Sequence, residues 1–242
     1  MTSPITVMFL PGMLADHRLW LPGLDYLHHL VGAGVIVPVF PDFTDCETVE
    51  AMAERVLENA PARFAIVGMS MGGYVAFELM RRVPDRISHL MLVNTQAGAD
   101  DAKTRRRRQM LAQIVGTHRP FQGVSGAVLD DMLHPEHRHD AGIIKTLSVM
   151  ADDLGVAVYR RQQRAVALRR DCRDILPDLT MPCAIVGGLA DKITPPVAQQ
   201  IMADAIPMAQ MTMVAGAGHY VPLECPDIFA GILADLLMRR DP

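Results

Sequence analysis

The stretch FAIVGMSMGGYVAFELM, residues 64–80, holds an apolar run, then Gly68-Met69-Ser70-Met71-Gly72-Gly73, then an apolar stripe at Val75, Phe77, Leu79 and Met80. The run reads as a strand covered on both faces, and the stripe as the inward side of a helix. A G-x-S-x-G between strand and helix has a mechanical reason. The turn is so tight that the flanking positions tolerate almost no side chain, and the serine is pushed out above the sheet. Ser70 is therefore the candidate nucleophile. The N–H groups and positive dipole end of the following helix point at the same spot and suit a developing oxyanion. The competing reading, a phosphate- or dinucleotide-binding turn, lacks both GxGxxG and GK[ST].

The alternation of strand and helix spreads outward from this stretch. Apolar runs bounded by Gly, Pro or Asp recur at Ile5–Leu10, Val35–Phe40, Ile87–Asn94, Ala184–Gly188 and Gln210–Val214. Between two of them Glu47–Asn59 carries a stripe of Val49, Met52, Ala53, Val56 and Leu57, with Thr44 or Asp45 as the expected N-cap. The pattern predicts an α/β fold: a mostly parallel sheet of about six strands with helices on both faces. Alternation pauses after Asn94 and resumes at Ala184, so the expected organisation is one core from 1–96 and 174–242, with a helical cap inserted at 97–173. Ala97–Ile175 holds 14 Lys and Arg against 10 Asp and Glu, and the remainder holds 9 against 17. A basic cap on an acidic core would speed capture of carboxylate-bearing substrates if its arginines face the cleft.

Composition removes several function classes. Half of the 242 residues are hydrophobic and 21% are charged, enough apolar material for a packed interior. The net charge of −4 argues against nucleic acid as a partner, since phosphate contacts require a surplus of cations. The longest apolar run, Leu30–Pro41, has 12 residues and falls short of the roughly 20 that a membrane span needs. No Lys or Arg precedes Arg18, so the basic region of a signal peptide is missing and a cytoplasmic location is expected. Cys46, Cys172, Cys183 and Cys225 lie far apart without ligand spacing and read as reduced thiols. In His134-Pro135-Glu136-His137-Arg138-His139, the i,i+2 histidines and Arg138 suit a divalent ion poorly, so no metal is expected. Four adjacent arginines, Arg105–Arg108, cover all sides of a helix, and at least one should face inward or pair with Asp100 or Asp101. Monomer and homodimer are equally compatible with the sequence.

A serine hydroxyl is a poor nucleophile without a base, and a base needs an orienting group. His219 sits in Ala215-Gly216-Ala217-Gly218-His219-Tyr220, a glycine-flanked loop between the last strand and the C-terminal helix, a place that points toward a site more than toward a core. Asp191, in a loop leaving the strand that ends at Gly188, lies 28 residues earlier. The alternative place for the acid, the end of the preceding strand, reads Asn94-Thr95-Gln96 and offers no carboxylate. Asp191 could instead cap the helix after Pro195 or pair with Lys192. After the first strand, Leu10-Pro11-Gly12-Met13-Leu14 can bend back at Gly12 and bring the Met13 N–H beside that of Met71, completing an oxyanion hole. The Met13 and Met71 side chains would offer an adaptable apolar acyl pocket.

These four segments, in the order turn, Ser, Asp, His, resemble the α/β-hydrolase fold family, in its carboxylesterase-like branch with a helical lid, over nearly the whole chain. The resemblance implies that Ser70 is acylated, His219 is the base, Asp191 orients it, and Met13 and Met71 supply oxyanion N–H groups. Pro11 stands where many members have histidine, and the chain starts at what would be the third strand, without the usual leading hairpin. The expected activity is cleavage of a small to medium acyl ester through an acyl-enzyme, with no cofactor. The same fold and triad also serve lactonases, thioesterases, C–C bond hydrolases and cofactor-free lyases, and a non-catalytic ligand receptor remains a different class of answer.

Overall fold

A computed structural model describes residues 4–32, 34–116, 121, 123, 124 and 126–239, with the backbone alone at 127. The strands are β1 (Ile5–Leu10), β2 (Ile36–Val39), β3 (Phe64–Met69), β4 (Ile87–Val93), β5 (Cys183–Gly188) and β6 (Ala209–Val214). They form one sheet in the order β2-β1-β3-β4-β5-β6, and every pairing is parallel. The central strands β3, β4 and β5 are buried along their whole length, which is why their sequences are apolar throughout. Edge strands β2 and β6 are only partly covered.

The period of two along each strand divides the interior into two layers. In β1, Met8 and Leu10 join one cluster with Met52, Val75 and Met202 from helices α2 (Val49–Glu58), α3 (Met71–Arg82) and α7 (Pro196–Ala205). Val7 and Phe9 point the other way, into a cluster with Leu24 of α1 (Leu21–Val31) and Phe229 of α9 (Pro226–Met238). The cap of α2 is Thr48, whose hydroxyl accepts from the Ala51 N–H at 3.0 Å, and not Thr44 or Asp45. The chain there is still turning, and it enters the helix only when Thr48 can serve the third residue onward.

Between β4 and β5 run α4 (Ala102–Ile114), α5 (Gly126–Met132) and α6 (Ala141–Leu168), with no strand among the described residues. Helix α6 breaks at Gly155, whose φ of 74° leaves the helical region. It nevertheless joins the core, since Leu147 and Met150 lie in the layer with α1 and α9, and Ala165 and Val166 lie in the opposite layer. Arg108 and Arg169 both bond the buried Asp100 carboxylate, at 2.6 and 2.7 Å, so one member of the four-arginine run is paired as its sequence suggests. Tiny α8 (Val221–Glu224) precedes α9.

Candidate active site

Sheet register decides what converges. Leu10 pairs with Gly68, Met69 with Val93, Val93 with Val186, and Gly188 with Val214. The carboxyl ends of five strands therefore lie side by side, and the segments leaving them carry the 11–14 turn, Ser70, Asn94, Asp191 and His219. The chain reverses its direction of travel across the sheet between β1 and β3, the kind of switch point at which open α/β sheets form crevices.

Ser70 sits between β3 and α3 with φ 52° and ψ −113°, a sparsely populated conformation for a residue with a side chain. Strain of this kind costs about 1–3 kcal/mol and persists only where neighbours over-determine it. Here they do: the Ser70 N–H donates to the Val93 carbonyl at 3.0 Å, and the Ser70 carbonyl accepts from Thr95 Oγ1 at 2.7 Å. Close packing forces the glycines, for a Cβ on Gly72 would stand 1.9 Å from the Leu10 carbonyl oxygen and one on Gly68 would stand 2.7 Å from that of Gly72. Ser70 itself remains half-buried and reachable, while the layers around it are closed.

The 11–14 turn packs directly on the serine, since a Cβ on Gly12 would be 3.4 Å from Ser70 Cβ. Leu14 has φ 54°, and its N–H donates to Gln162 Oε1 of α6 at 2.9 Å. Gln162, a residue that nothing in the sequence singles out, thus braces the turn from α6. The Met71 side chain is 1% exposed and belongs to the core around Leu10 and Tyr74, so it forms no part of an open pocket; its backbone N–H starts helix α3.

On the other side, Asp191 and His219 are both 3% exposed, and His219 Nδ1 lies 2.8 Å from Asp191 Oδ2. The same oxygen accepts from Asn94 Nδ2 at 2.8 Å and Thr194 Oγ1 at 2.7 Å, and Oδ1 accepts from the Ile193 and Thr194 N–H groups at 2.7 and 3.0 Å. Burial alone would push this carboxyl pKa up, but the charge and hydrogen bond of His219 and the bonds from Thr194 outweigh it and hold the group at about 2. An ionised Asp191 can only accept, so Nδ1 of His219 carries the proton of the bond between them. Lys192 turns away to Asp131, and Asp191 is not spent on it.

Besides Gln162, three supporting residues escaped the sequence reading. Asn94 looked like a missing acid and is instead a donor to the acid, bonding the Gly218 carbonyl as well at 3.1 Å. Thr95 holds the Ser70 carbonyl. Glu224, 6% exposed, accepts from the Gly218 and Tyr220 N–H groups on either side of the histidine, at 3.0 and 2.9 Å, and from the His134 N–H in the cap at 2.7 Å. No cluster of three potential metal ligands occurs among the described residues, and no described helix is long and apolar enough to cross a membrane.

A family model described as "Alpha/beta hydrolase family" matches residues 7–232. The biotin biosynthesis bifunctional protein of Teredinibacter turnerae is 23% identical over 98% of this chain, and the chain spans 45% of that protein's length. The pimeloyl-[acyl-carrier protein] methyl ester esterase of Aromatoleum aromaticum is 23% identical over 78% of this chain and 80% of its own. Among solved structures, the thermophilic esterase of Thermogutta terrifontis superposes with a TM-score of 0.86 at 23% identity, covering 98% of this chain and 90% of that one.

Proposed function

The chain belongs to the alpha/beta hydrolase family, and on that premise we propose that it is a serine hydrolase that cleaves an acyl ester of a small to medium substrate through a covalent acyl-enzyme. The observation that carries the reading is the buried Asp191–His219 bond, made by a carboxylate held near pKa 2, at the same end of the sheet as a half-buried serine in a strained strand-to-helix turn.

In this reading the Ser70 Oγ attacks the ester carbonyl carbon as its proton passes to His219 Nε2. Asp191 keeps the ring in the one tautomer that leaves Nε2 open and stabilises the imidazolium that forms. The carbonyl oxygen, now negative, takes the N–H groups of Met71 and Met13, each donor supplying roughly 3 kcal/mol of transition-state stabilisation. Collapse expels the alcohol, which receives the proton from His219. Water then repeats the attack on the acyl-serine, with His219 again accepting the proton, and releases the acid and the free enzyme. Residues 97–173 would act as the cap over this crevice, with Gln162 steadying the oxyanion turn. The chemistry needs neither metal nor cofactor.

Fluorophosphonate labelling of Ser70, followed by turnover of 4-nitrophenyl esters of rising acyl length, tests the proposal. Mass spectrometry should find the label on Ser70 and a transient acyl adduct there. A protein that neither labels nor turns over any ester would be a ligand receptor on the same fold.

A further inference from the structure

Beside the proposed oxyanion turn lies a cavity of about 320 Å3, walled by Phe9, Pro11, Phe40, Phe43 and Leu154, with Gln162 in its lining. That volume is at the small end of the roughly 300–1,000 Å3 typical of small-molecule sites. Pro11 joins it to the site, because the next residue, Gly12, packs against Ser70. The walls come from both layers of the molecule: β1 and its turn, the segment after β2, and α6 of the cap.

Gln162 is a buried polar side chain of this cavity that bonding among the described residues leaves unfinished. It is 3% exposed, and its Oε1 is taken by the Leu14 N–H, which fixes the amide plane. Its Nε2 donates to no described residue, and the side chain lines the cavity. A buried amide donor normally has a partner, and leaving one bare costs about 1–3 kcal/mol. An amide held by its oxygen and bare at its nitrogen, among three phenyl rings, is a recognition group for one uncharged acceptor.

We propose that this cavity selects the substrate: an uncharged chain carrying a ketone, ether or amide oxygen that accepts from Gln162 Nε2 while its carbons fill the aromatic walls. This deepens the hydrolase reading and rests on it. A carboxylate is the rival occupant, and Arg161, whose Nε donates to the Thr44 carbonyl at 2.8 Å near the rim, is the cation that would favour it. Against that, the charged lining residues are Asp16 and Asp42, with Asp16 bound by Arg18 and Asp42 exposed with no ion pair among the described residues.

The test compares shape-matched pairs. In the acyl arm, 4-nitrophenyl esters of 4-oxopentanoate, 5-oxohexanoate and 6-oxoheptanoate are set against the methyl-branched chains in which CH–CH3 replaces C=O. In the alcohol arm, 3-oxobutyl and 4-oxopentyl acetates are set against their branched analogues. In one arm, and most strongly at one chain length, kcat/KM should favour the ketone by about three- to tenfold, the range of a single neutral hydrogen bond. Gln162→Leu should bring that ratio to about one, whatever it does to absolute rates by freeing the Leu14 N–H. Leu154→Trp, which fills the cavity from α6, should depress kcat/KM for the favoured ketone at least about tenfold more than for 4-nitrophenyl acetate.

Ratios near one in every wild-type pair overturn the proposal, as does a ratio that survives in Gln162→Leu. A preference for the monoester of glutarate over 5-oxohexanoate would hand the cavity to Arg161 and overturn it too. Turnover of 4-nitrophenyl acetate and fluorophosphonate labelling report on the hydrolase reading separately. If both fail, calorimetry of the primary amides of the same chains on the wild-type protein still decides the cavity, because ketone and branched amides must differ in affinity by the same factor.

Discussion

The two sides of the crevice are held in place by different physics. Asp191 and His219 are fixed by side-chain hydrogen bonds arriving from Asn94, Thr194 and, around the histidine loop, Glu224. Ser70 is fixed mainly by backbone: its own φ of 52°, a bond to Val93, and packing so close at Gly72 that no Cβ fits against Leu10, with one side-chain bond from Thr95. A polar network can lose one member and relax, because other bonds remain and water can enter. The backbone at Gly72, where an added Cβ would stand 1.9 Å from the Leu10 carbonyl oxygen, cannot take a side chain without moving β1 against α3.

The contrast is sharpest in the pair Ser70→Ala and Gly72→Ala. Both should lower turnover at least about 10^4-fold, the first by deleting the proposed attacking atom and the second by displacing it. They separate in stability. Ser70→Ala should leave the thermal midpoint within about 3 °C, since a small reachable hydroxyl adds little to packing, whereas Gly72→Ala should lower it by more than about 8 °C through steric overlap. Thermal denaturation beside an ester assay reads both, and an unperturbed midpoint for Gly72→Ala would break the distinction drawn here.

On the polar side losses should be graded. His219→Ala should match Ser70→Ala in turnover, and Asp191→Asn should cost about 10^3- to 10^4-fold, because the amide presents a donor toward Nδ1 and favours the wrong tautomer. His137→Ala, remote from these bonds, serves as the control and should change kcat/KM less than about twofold. A silent Asp191→Asn would remove the acid from this position.

What the sequence made legible, and what it hid, follows the same division. Strand limits, Ser70 and His219 are encoded locally: apolar runs end at Gly or Pro, and the special residues carry glycine neighbours. Asn94, Thr95, Gln162 and Glu224 carry no such flags. Their partners lie at separations such as 97 residues for Asn94 to Asp191 and 148 for Leu14 to Gln162, and only the register of five parallel strands and the docking of the cap bring them together. Asn94 shows the difficulty best. By composition it marks an absent carboxylate, and in three dimensions it serves a carboxylate 97 residues further along, in the loop after the neighbouring strand. Of the cations between 97 and 175, Arg108 and Arg169 pair with Asp100 and Arg170 with Glu50, partners that sequence separation likewise hides.

A smaller effect is expected at Glu224. Its Oε1 serves the N–H groups flanking His219 and its Oε2 serves the cap, so Glu224→Gln can keep the first two bonds only by turning its NH2 toward the His134 N–H. Two donors then face each other at the cap. The expected result is a three- to tenfold fall in kcat with KM within about twofold, and a loss of roughly 1–3 kcal/mol in unfolding free energy. Steady-state kinetics with urea titration checks it; a KM effect alone would mean that the cap, and not the histidine, depends on this carboxylate.

The smallest effect is a pH dependence that isolates Asp191. Its carboxyl titrates at about 2 in the folded protein against an ordinary 3.8, so as pH falls the unfolded chain takes up the proton first. Stabilisation from this group is therefore complete above the unfolded value and is lost as pH drops toward the folded one, amounting to about 2 kcal/mol at neutral pH, of which about 1 kcal/mol should be gone by pH 3. Asp16 and Asp100 are also held below their usual value, against the opposing effect of burial, by Arg18 and by Arg169 with Arg108. They tilt the same curve in any variant that keeps them, so the total slope says nothing about Asp191 by itself. The difference does. Unfolding free energies of wild type and Asp191→Asn, measured by urea titration from pH 6 to pH 3, should run parallel down to about pH 4.5 and then converge, wild type losing the extra kilocalorie. Curves that stay parallel to pH 3 would mean that folding leaves the Asp191 carboxyl unperturbed, and the network around it would then be geometry without charge.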